Sequence, residues 1–402
     1  MKNLLIVMVG LPARGKSTVA KRLQEGLTSS GIRTEIFNNG QLRRDWVGPS
    51  SALPEFYAPE NLEGHAIREK IASTNLNSAR AFFDNGGNVA IFDATNASRE
   101  RRQTIEQIFF DKAILFLECV NDDVELLKAC VHNKANLAEF STIPYEQSVQ
   151  AFYQRIEYYR KMASPLGPER CYIRLDTLSN SIIEERLTYE VPFYISIRDI
   201  LVSDWVYNLY LARHGQSLYN TEDRIGGDAP LTEKGRSQAR QLASCFEGMQ
   251  IPYIFTSEKI RSKETAAPLA AAHPEARCIA IRELDEINSG ICEGMSYQDI
   301  KRLMPEEYEM RAQDKYNYCY PHGEGYASMR QRVARGFRKA LFLAGGQSNI
   351  VMIGHQAVNR MVLSLFLFRR TEDVPYIYVP QNQYFHIIAT HKKKLFELVP
   401  FA

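Results

Sequence analysis

The chain has 402 residues and a formal net charge of +2, the small remainder of 49 Lys and Arg against 47 Asp and Glu. That length accommodates two domains of ordinary size, and the near-cancelled charge gives no global case for nucleic acid or an anionic membrane surface. Seven scattered cysteines without a C-x-x-C pair argue against a disulfide framework and fit a reducing compartment.

Leu4–Val9 is an apolar run of strand length, too short and without the cleavage site of a signal peptide. It leads directly into Gly10-Leu11-Pro12-Ala13-Arg14-Gly15-Lys16-Ser17. This is G-x-x-x-x-G-K-[ST] between a strand and a helix. Its glycines let successive backbone N–H groups curl around phosphate oxygens, and the helix N-terminus adds partial positive charge. In that role Lys16 reaches the β- and γ-phosphates and Ser17 ligates Mg²⁺. Further strands are predicted over Arg33–Asn38, Asn88–Phe92, Ala113–Cys119 and Cys171–Leu175. They alternate with helices over Ser17–Ser29, Leu62–Asn85, Arg99–Phe109 and Asp122–His132; Tyr145–Met162 and Ser179–Leu187 read as later helices. The alternation predicts an α/β unit with a parallel sheet, helices on both faces, and ligands at the carboxyl ends of the strands.

Within this half, Gly40 permits a tight turn after the second strand, and Arg43 with Arg44 can grip a phosphate, although an isolated Arg-Arg pair is more often solvated. The third strand ends in Asp93-Ala94-Thr95-Asn96, where a P-loop kinase needs a carboxylate for Mg²⁺ or the acceptor hydroxyl. Ser98 is a better cap than Asp93 for the helix that begins at Arg99. Cys119, taken alone, reads as a buried small hydrophobe. Glu190–Val206 is aromatic and β-branched with no Gly/Ser tract, which predicts a packed domain connection and boundaries of 1–205 and 206–402.

The second half repeats the alternation, with strands over Tyr207–Ala212, Tyr253–Thr256, Asn349–Ile353 and Tyr384–Ala389. The first of them delivers Arg213-His214-Gly215-Gln216-Ser217. A lone R-H-G is weak, but here it is accompanied by Asn220, Arg224-Ile225-Gly226-Gly227, the Leu231–Gly235 turn, Arg261, Glu286 and His355. This set resembles the histidine phosphatase superfamily, in which the first His carries phosphate covalently. The resemblance implies a phosphoglycerate-mutase-like α/β domain. It also assigns His214 as nucleophile, Arg213, Arg261 and His355 as the clamp on the phosphoryl oxygens, and Glu286 as the acid that protonates the leaving alcohol and then activates water.

GLPARGKS, FNNGQLRRD and FDATNASRERR, in this order and followed by RHGQS, resemble the bifunctional 6-phosphofructo-2-kinase/fructose-2,6-bisphosphatase family over essentially the whole chain. The resemblance implies transfer of the ATP γ-phosphate to the 2-hydroxyl of fructose 6-phosphate, and hydrolysis of fructose 2,6-bisphosphate. Carried over by position, Gly10 to Ser17 hold ATP and Mg²⁺. Arg43, Arg68, Thr95, Arg101, Lys134, Arg155 and Tyr159 hold the sugar phosphate, with Asp93 near the acceptor hydroxyl and Cys119 at the site. Asn220, Gly226, Tyr297, Arg311, Lys315, Tyr326, Gln356 and Arg360 take the bisphosphate, whereas Tyr316, Tyr318 and Tyr320 read as core or surface aromatics.

Departures from the family pattern lie at Asn121–Asp123 and Asn136–Phe140 in the first half, and at Gln216, Cys319 and His322 in the second. Loss of cations at the last two positions is expected to weaken binding of the second phosphate by about 1–2 kcal/mol per lost contact. The family also implies a homodimer. The short ends beyond the outermost motifs suggest control by metabolites, without regulatory tails. A nucleic-acid end-processing kinase–phosphatase would need a basic groove with aromatic stacking platforms, which the charge balance disfavours. A cytoplasmic enzyme of small phosphorylated sugars, with no nucleic-acid or membrane partner, is the expectation.

Overall fold

The computed structural model describes residues 3–401 apart from 59, 137, 142, 347, 348 and 368. The chain forms two compact units, Met1–Ser203 and Asp204–Ala402. In the first, β1 (Leu4–Val9), β2 (Thr34–Asn38), β3 (Val89–Asp93), β4 (Ala113–Val120) and β5 (Cys171–Asp176) run parallel in the order β2-β3-β1-β4-β5. β6 (Ser181–Leu187) adds an antiparallel edge beside β5. The helices are α1 (Lys16–Ser29), α2 (Asn39–Val47), α3 (Leu62–Asp84), α4 (Arg99–Ile108), α5 (Val124–Ala135), α6 (Tyr145–Met162) and α7 (Tyr194–Val202).

Every residue of β1 is buried, as a central parallel strand requires. Leu5, Val7 and Val9 pack with Leu76, Ala79 and Phe83 of α3 and Ile105 of α4. The alternate residues Leu4, Ile6 and Met8 face the other way, toward the side where α1 buries Val19, Ala20, Leu23 and Leu27. Both sheet faces are thus closed, and the loops after β1, β3 and β4 emerge together at one end.

Two sequence expectations need correction. Ser179–Leu187 is no helix: Asp176 Oδ1 accepts from Leu178 N at 2.9 Å and Asn180 turns at φ 51°, so the chain reverses into β6. There Glu184 pairs across the hairpin with Arg174 at 2.8 Å, a strand contact that helical spacing cannot register. Nor does Gly40 form a tight turn, because α2 begins one residue earlier, with Asn38 Oδ1 accepting from Gln41 N at 2.7 Å. Ser98 does cap α4, accepting from Arg101 N at 3.3 Å, which leaves Asp93 free. Most of the predicted connection is also helical, as α7.

The second unit contains β7 (Val206–Arg213), α8 (Leu218–Thr221), α9 (Glu233–Ser244), β8 (Tyr253–Thr256), α10 (Ile260–Ala272), β9 (Arg277–Ala280), α11 (Tyr297–Leu303), α12 (Pro305–Gln313), α13 (Tyr326–Ala344), β10 (Asn349–Gly354), α14 (Gln356–Ser364), β11 (Gln383–Ala389) and β12 (Lys394–Pro400). Its sheet order is β12-β11-β7-β10-β8-β9, with β7, β10, β8 and β9 parallel and the other two antiparallel. Among the described residues no helix is long and apolar enough to cross a membrane.

Arg102 of α4 is 0% exposed and uses all five of its donors. It bonds Glu169 at 2.6 Å, the carbonyls of Asn96 and Ala97 at 3.2 and 2.7 Å, and those of Ser164 and Pro165 at 3.1 and 3.2 Å. It therefore ties the loop after β3 to the segment before β5. Arg102→Met is expected to lower the unfolding free energy of this unit by about 3–5 kcal/mol, because Glu169 is left buried and unpaired. Urea unfolding measures the loss, and adding Glu169→Gln is expected to recover part of it.

Candidate active sites

The loop Gly10–Gly15 lies flush against β4: a Cβ on Gly10 would stand 2.5 Å from the carbonyl oxygen of Cys119. Gly15, left-handed at φ 82°, precedes α1 without a side-chain cap, so the N–H groups of the first turn face the loop's hollow. Thr177 tethers the loop from outside by donating to Arg14 O at 3.0 Å. Lys16 Nζ donates to Leu11 O at 2.7 Å. Withdrawal from water lowers its pKa to about 8, against the opposing pull of Asp93. Asp93, at the end of β3, is buried and accepts from Asn38, its registered partner on β2, and from the Ser17 hydroxyl. Burial raises its pKa, and Ser17, Lys16 and Asn38 counteract that rise.

Pro12, Ala13, Lys16, Ser17 and Asp93 form one wall of a cavity of about 690 Å³. Arg43, Arg68, Thr95, Arg101, Lys134, Arg155 and Tyr159 line it as well, so the sequence-predicted sugar-phosphate set is brought together. Most of its cations carry internal partners. Arg43 bonds Glu139, Tyr57 and Ser51 O, Arg101 bonds Glu69, and Arg68 bonds Phe56 O and, at 3.0 Å, Tyr158. Arg155 has no hydrogen bond among the described residues and lies over the Tyr57 ring at 4.7 Å. Glu139, inside the Asn136–Phe140 departure, was given no role by sequence reasoning, yet its buried carboxylate faces both Arg43 and Arg44. Only its distance from the P-loop along the chain concealed it.

Cys119 departs from the expectation that it acts at the site. It lies beneath the loop and off the cavity wall, 1% exposed, and burial pushes its thiol up to about 12. A thiol kept protonated in that way is a packing group.

In the second unit the parallel register sets Gly354 of β10 opposite Arg213 of β7, and His214 N donates to Gly354 O at 3.0 Å. The two following residues, His214 and His355, therefore meet at one sheet end with ring centroids 5.2 Å apart. His214 Nδ1 lies 2.8 Å from Gly215 O, which requires the proton there and leaves Nε2 with a free lone pair. Ser257 Oγ accepts from Lys259 N at 3.2 Å and is hydrogen-bonded to His355 Nε2 at 2.7 Å. His355 Nδ1 and Arg213 Nε are buried nitrogens with no hydrogen bond among the described residues. Burial, with Arg261 and Arg213 beside it, holds the His214 pKa well below the ordinary imidazole value.

Arg213, His214, Asn220, Gly226, Arg261, Glu286, Tyr297, Arg311, Lys315, Tyr326, Gln356 and Arg360 line one cleft of about 730 Å³. His355 sits just behind that wall, 0% exposed. Glu286 Oε1 accepts from Ile287 N at 3.0 Å and Oε2 from Ala357 N at 3.4 Å. Arg311 donates to the Tyr297 hydroxyl and Arg360 to that of Tyr326, at 3.0 and 2.9 Å. Burial, with Arg311 and Arg360 nearby, lowers the Lys315 pKa to about 8.

Of the three tyrosines read as core or surface aromatics, Tyr316 and Tyr320 are buried as that reading has it, while Tyr318 and Tyr320 also line the cleft. Gln381 was missed altogether, for no motif contains it. Cys319 and His322 do not line the cleft; the Cys319 thiol is exposed and donates to Gly323 O at 3.4 Å.

Residues 1–202 match the family model described as 6-phosphofructo-2-kinase, and residues 209–399 match the histidine phosphatase superfamily (branch 1). The chain is 34% identical over 399 residues to a Caenorhabditis elegans protein named 6-phosphofructo-2-kinase/fructose-2,6-bisphosphatase, spanning 94% of this chain and 84% of that relative. A Rattus norvegicus protein, 6-phosphofructo-2-kinase/fructose-2,6-bisphosphatase 4, is 35% identical over 388 residues, spanning 94% and 80%.

The two histidines make the second unit sensitive to acid. Both are held well below the ordinary value, chiefly by burial, whereas in the unfolded chain they titrate near about 6.5. Below that pH the unfolded chain takes up protons that the folded unit refuses, so stability is lost as pH falls. The urea midpoint of this unit is expected to drop between about pH 7.5 and 5.5, with His214→Gln/His355→Gln flattening the slope.

Proposed function

We propose that this chain, which belongs to the bifunctional 6-phosphofructo-2-kinase/fructose-2,6-bisphosphatase family, makes fructose 2,6-bisphosphate from fructose 6-phosphate and ATP in its first unit and hydrolyses it in its second. One observation carries the second half of that reading. A neutral, buried His214 has a free Nε2 lone pair beside Arg213 Nε and His355 Nδ1, buried nitrogens with no hydrogen bond among the described residues and available to a phosphoryl group. The first half rests on the uncapped P-loop helix opening onto a cavity lined by seven lysines and arginines.

In the first unit the loop N–H groups and Lys16 hold the nucleotide phosphates, and Lys16 must exchange Leu11 O for a phosphate oxygen. Arg43, Arg68, Arg101, Lys134 and Arg155 neutralise the sugar phosphate, without which two polyanions could not share a cleft. Asp93 lies where the acceptor hydroxyl must come, hydrogen-bonded to Ser17. The hard oxygens of Ser17 and Asp93 fit Mg²⁺, which takes one or two protein ligands and fills its remaining positions from phosphates and water. Bound there, the ion would neutralise charge on the transferring phosphate.

In the second unit His214 Nε2 attacks the 2-phosphate phosphorus as the bond to the sugar oxygen breaks. Glu286 gives that oxygen its proton, releasing fructose 6-phosphate and leaving phosphohistidine. Glu286 then takes a proton from water, whose oxygen attacks phosphorus and frees His214 with inorganic phosphate. Arg213, Arg261 and His355 hold the phosphoryl oxygens throughout. Because Nε2 stays unprotonated well below the usual imidazole value, mild acid leaves the nucleophile intact.

Assaying both directions on one preparation tests the reading. Lys16→Ala is expected to lower the kinase rate about 10²–10³-fold while sparing hydrolysis. His214→Ala is expected to abolish hydrolysis and spare the kinase, and Glu286→Gln to slow hydrolysis about 10²–10⁴-fold. EDTA is expected to stop the kinase and leave phosphate release unchanged, since nothing in the phosphohistidine chemistry calls for a metal. Hydrolysis that persists in His214→Ala would refute the assignment.

A further inference from the structure

Below the phosphatase cleft runs the segment 375–381, which no catalytic assignment uses. Its alternate carbonyls accept from three cleft cations: Pro375 O from Lys315 at 3.3 Å, Ile377 O from Arg360 at 2.8 Å, and Val379 O from Arg213 at 3.3 Å. Two residues further on, Gln381 reaches the cleft wall itself. Its Nε2 donates to His214 O at 3.2 Å and to Asn220 Oδ1 at 2.9 Å.

The orientation of these two amides is forced by backbone groups that cannot turn over. His214 O is a fixed acceptor, so Gln381 must present its NH₂. Ser217 N is a fixed donor and lies 3.0 Å from Asn220 Oδ1, so Asn220 must present its oxygen to the same side. Both demands point Asn220 the same way. Its Nδ2, with no hydrogen bond among the described residues, is then the donor group left to a side chain that lines the cleft. Without Gln381 one restraint remains, and the opposite orientation, which turns a carbonyl oxygen on an incoming anion, loses a competitor.

We propose that Gln381 is a positioning residue of the phosphatase site: it locks the Asn220 carboxamide so that Nδ2 donates to the phosphoryl group bound beside His214. The proposal rests on the second unit being a phosphohistidine phosphatase. It predicts that Gln381 acts through Asn220 on anion binding, leaving the chemistry of His214 alone.

The test is a double-mutant cycle on the full chain with two readouts: the Kd for inorganic phosphate by calorimetry, and KM and kcat for fructose 2,6-bisphosphate hydrolysis. Gln381→Met keeps the size and removes the donor. It is expected to raise both Kd and KM about 3- to 10-fold with kcat within about 2-fold, as for one lost hydrogen bond. In an Asn220→Ala background the same change is expected to add less than about 2-fold. Gln381→Glu, which cannot donate when ionised, is expected to do at least as much as Met and decides the matter if the Met variant folds poorly. An unchanged Kd and KM, or factors that multiply in the double variant, would overturn the proposal. If the wild-type protein released no phosphate from the bisphosphate, the functional reading would fall while the phosphate-binding cycle still decided the role of Gln381.

Discussion

Both sites depend on parallel pairing of neighbouring strands in register. A parallel ladder puts equivalent strand ends at the same edge, so groups far apart in sequence arrive together without any loop to guide them. Asn38 meets Asp93 because β2 and β3 pair residue for residue to their last position. His214 meets His355 across 141 positions of sequence for the same reason, since Arg213 and Gly354 are the last registered pair of β7 and β10. A slip of one residue would send each of these side chains to the opposite face. The apolar alternation that fixes register in the core is therefore also what fixes catalytic geometry. That is why the fully buried β1 matters to chemistry although its own side chains are apolar.

Gathering cations at a strand edge raises a second constraint, because like charges withdrawn from water repel and lose solvation. The two units meet it differently. In the first, carboxylates intervene: Glu139 between Arg43 and Arg44, Glu69 against Arg101. In the second, neutral dipoles do most of it, through the carbonyls of residues 375, 377 and 379 and the hydroxyls of Tyr297 and Tyr326. In the second unit burial is the chief cause that depresses the pKa of His214, and Arg261 and Arg213 beside it add to the shift.

How much of this was legible in the sequence follows from the range of each interaction. The P-loop, the strand before it and the helix after it are local, and their boundaries agree with the structure almost residue for residue. The two histidines proposed as catalytic and the cations around them were legible through family motifs, although composition alone could not have joined His214 to His355. Where reading failed, a distant partner had decided the outcome. Ile182 and Ile183 looked helical until Arg174 and Tyr172 claimed Glu184 across a hairpin, the tyrosine hydroxyl at 2.5 Å. Cys119 was placed at the site by the family resemblance, but Gly10 packs against its backbone carbonyl and the buried thiol lies off the cavity wall. Glu139 looked like a departure, yet it supplies the counter-charge of a buried arginine.

Gln381 marks the limit of such reading. A glutamine between Pro380 and Asn382 signals a loop and nothing more. Its significance comes from two backbone groups, the carbonyl of His214 and the N–H of Ser217, which the chain brings beside it only after β7 and β11 have paired antiparallel. Neither group belongs to a side chain, so no pattern of residue types can encode them. What the sequence does encode is the sheet, and the sheet delivers a fixed acceptor and a fixed donor to a site where two amides must choose an orientation. Specific recognition of a phosphate is in that sense a property of main-chain geometry, transmitted outward through side chains whose identity matters only because they can both donate and accept.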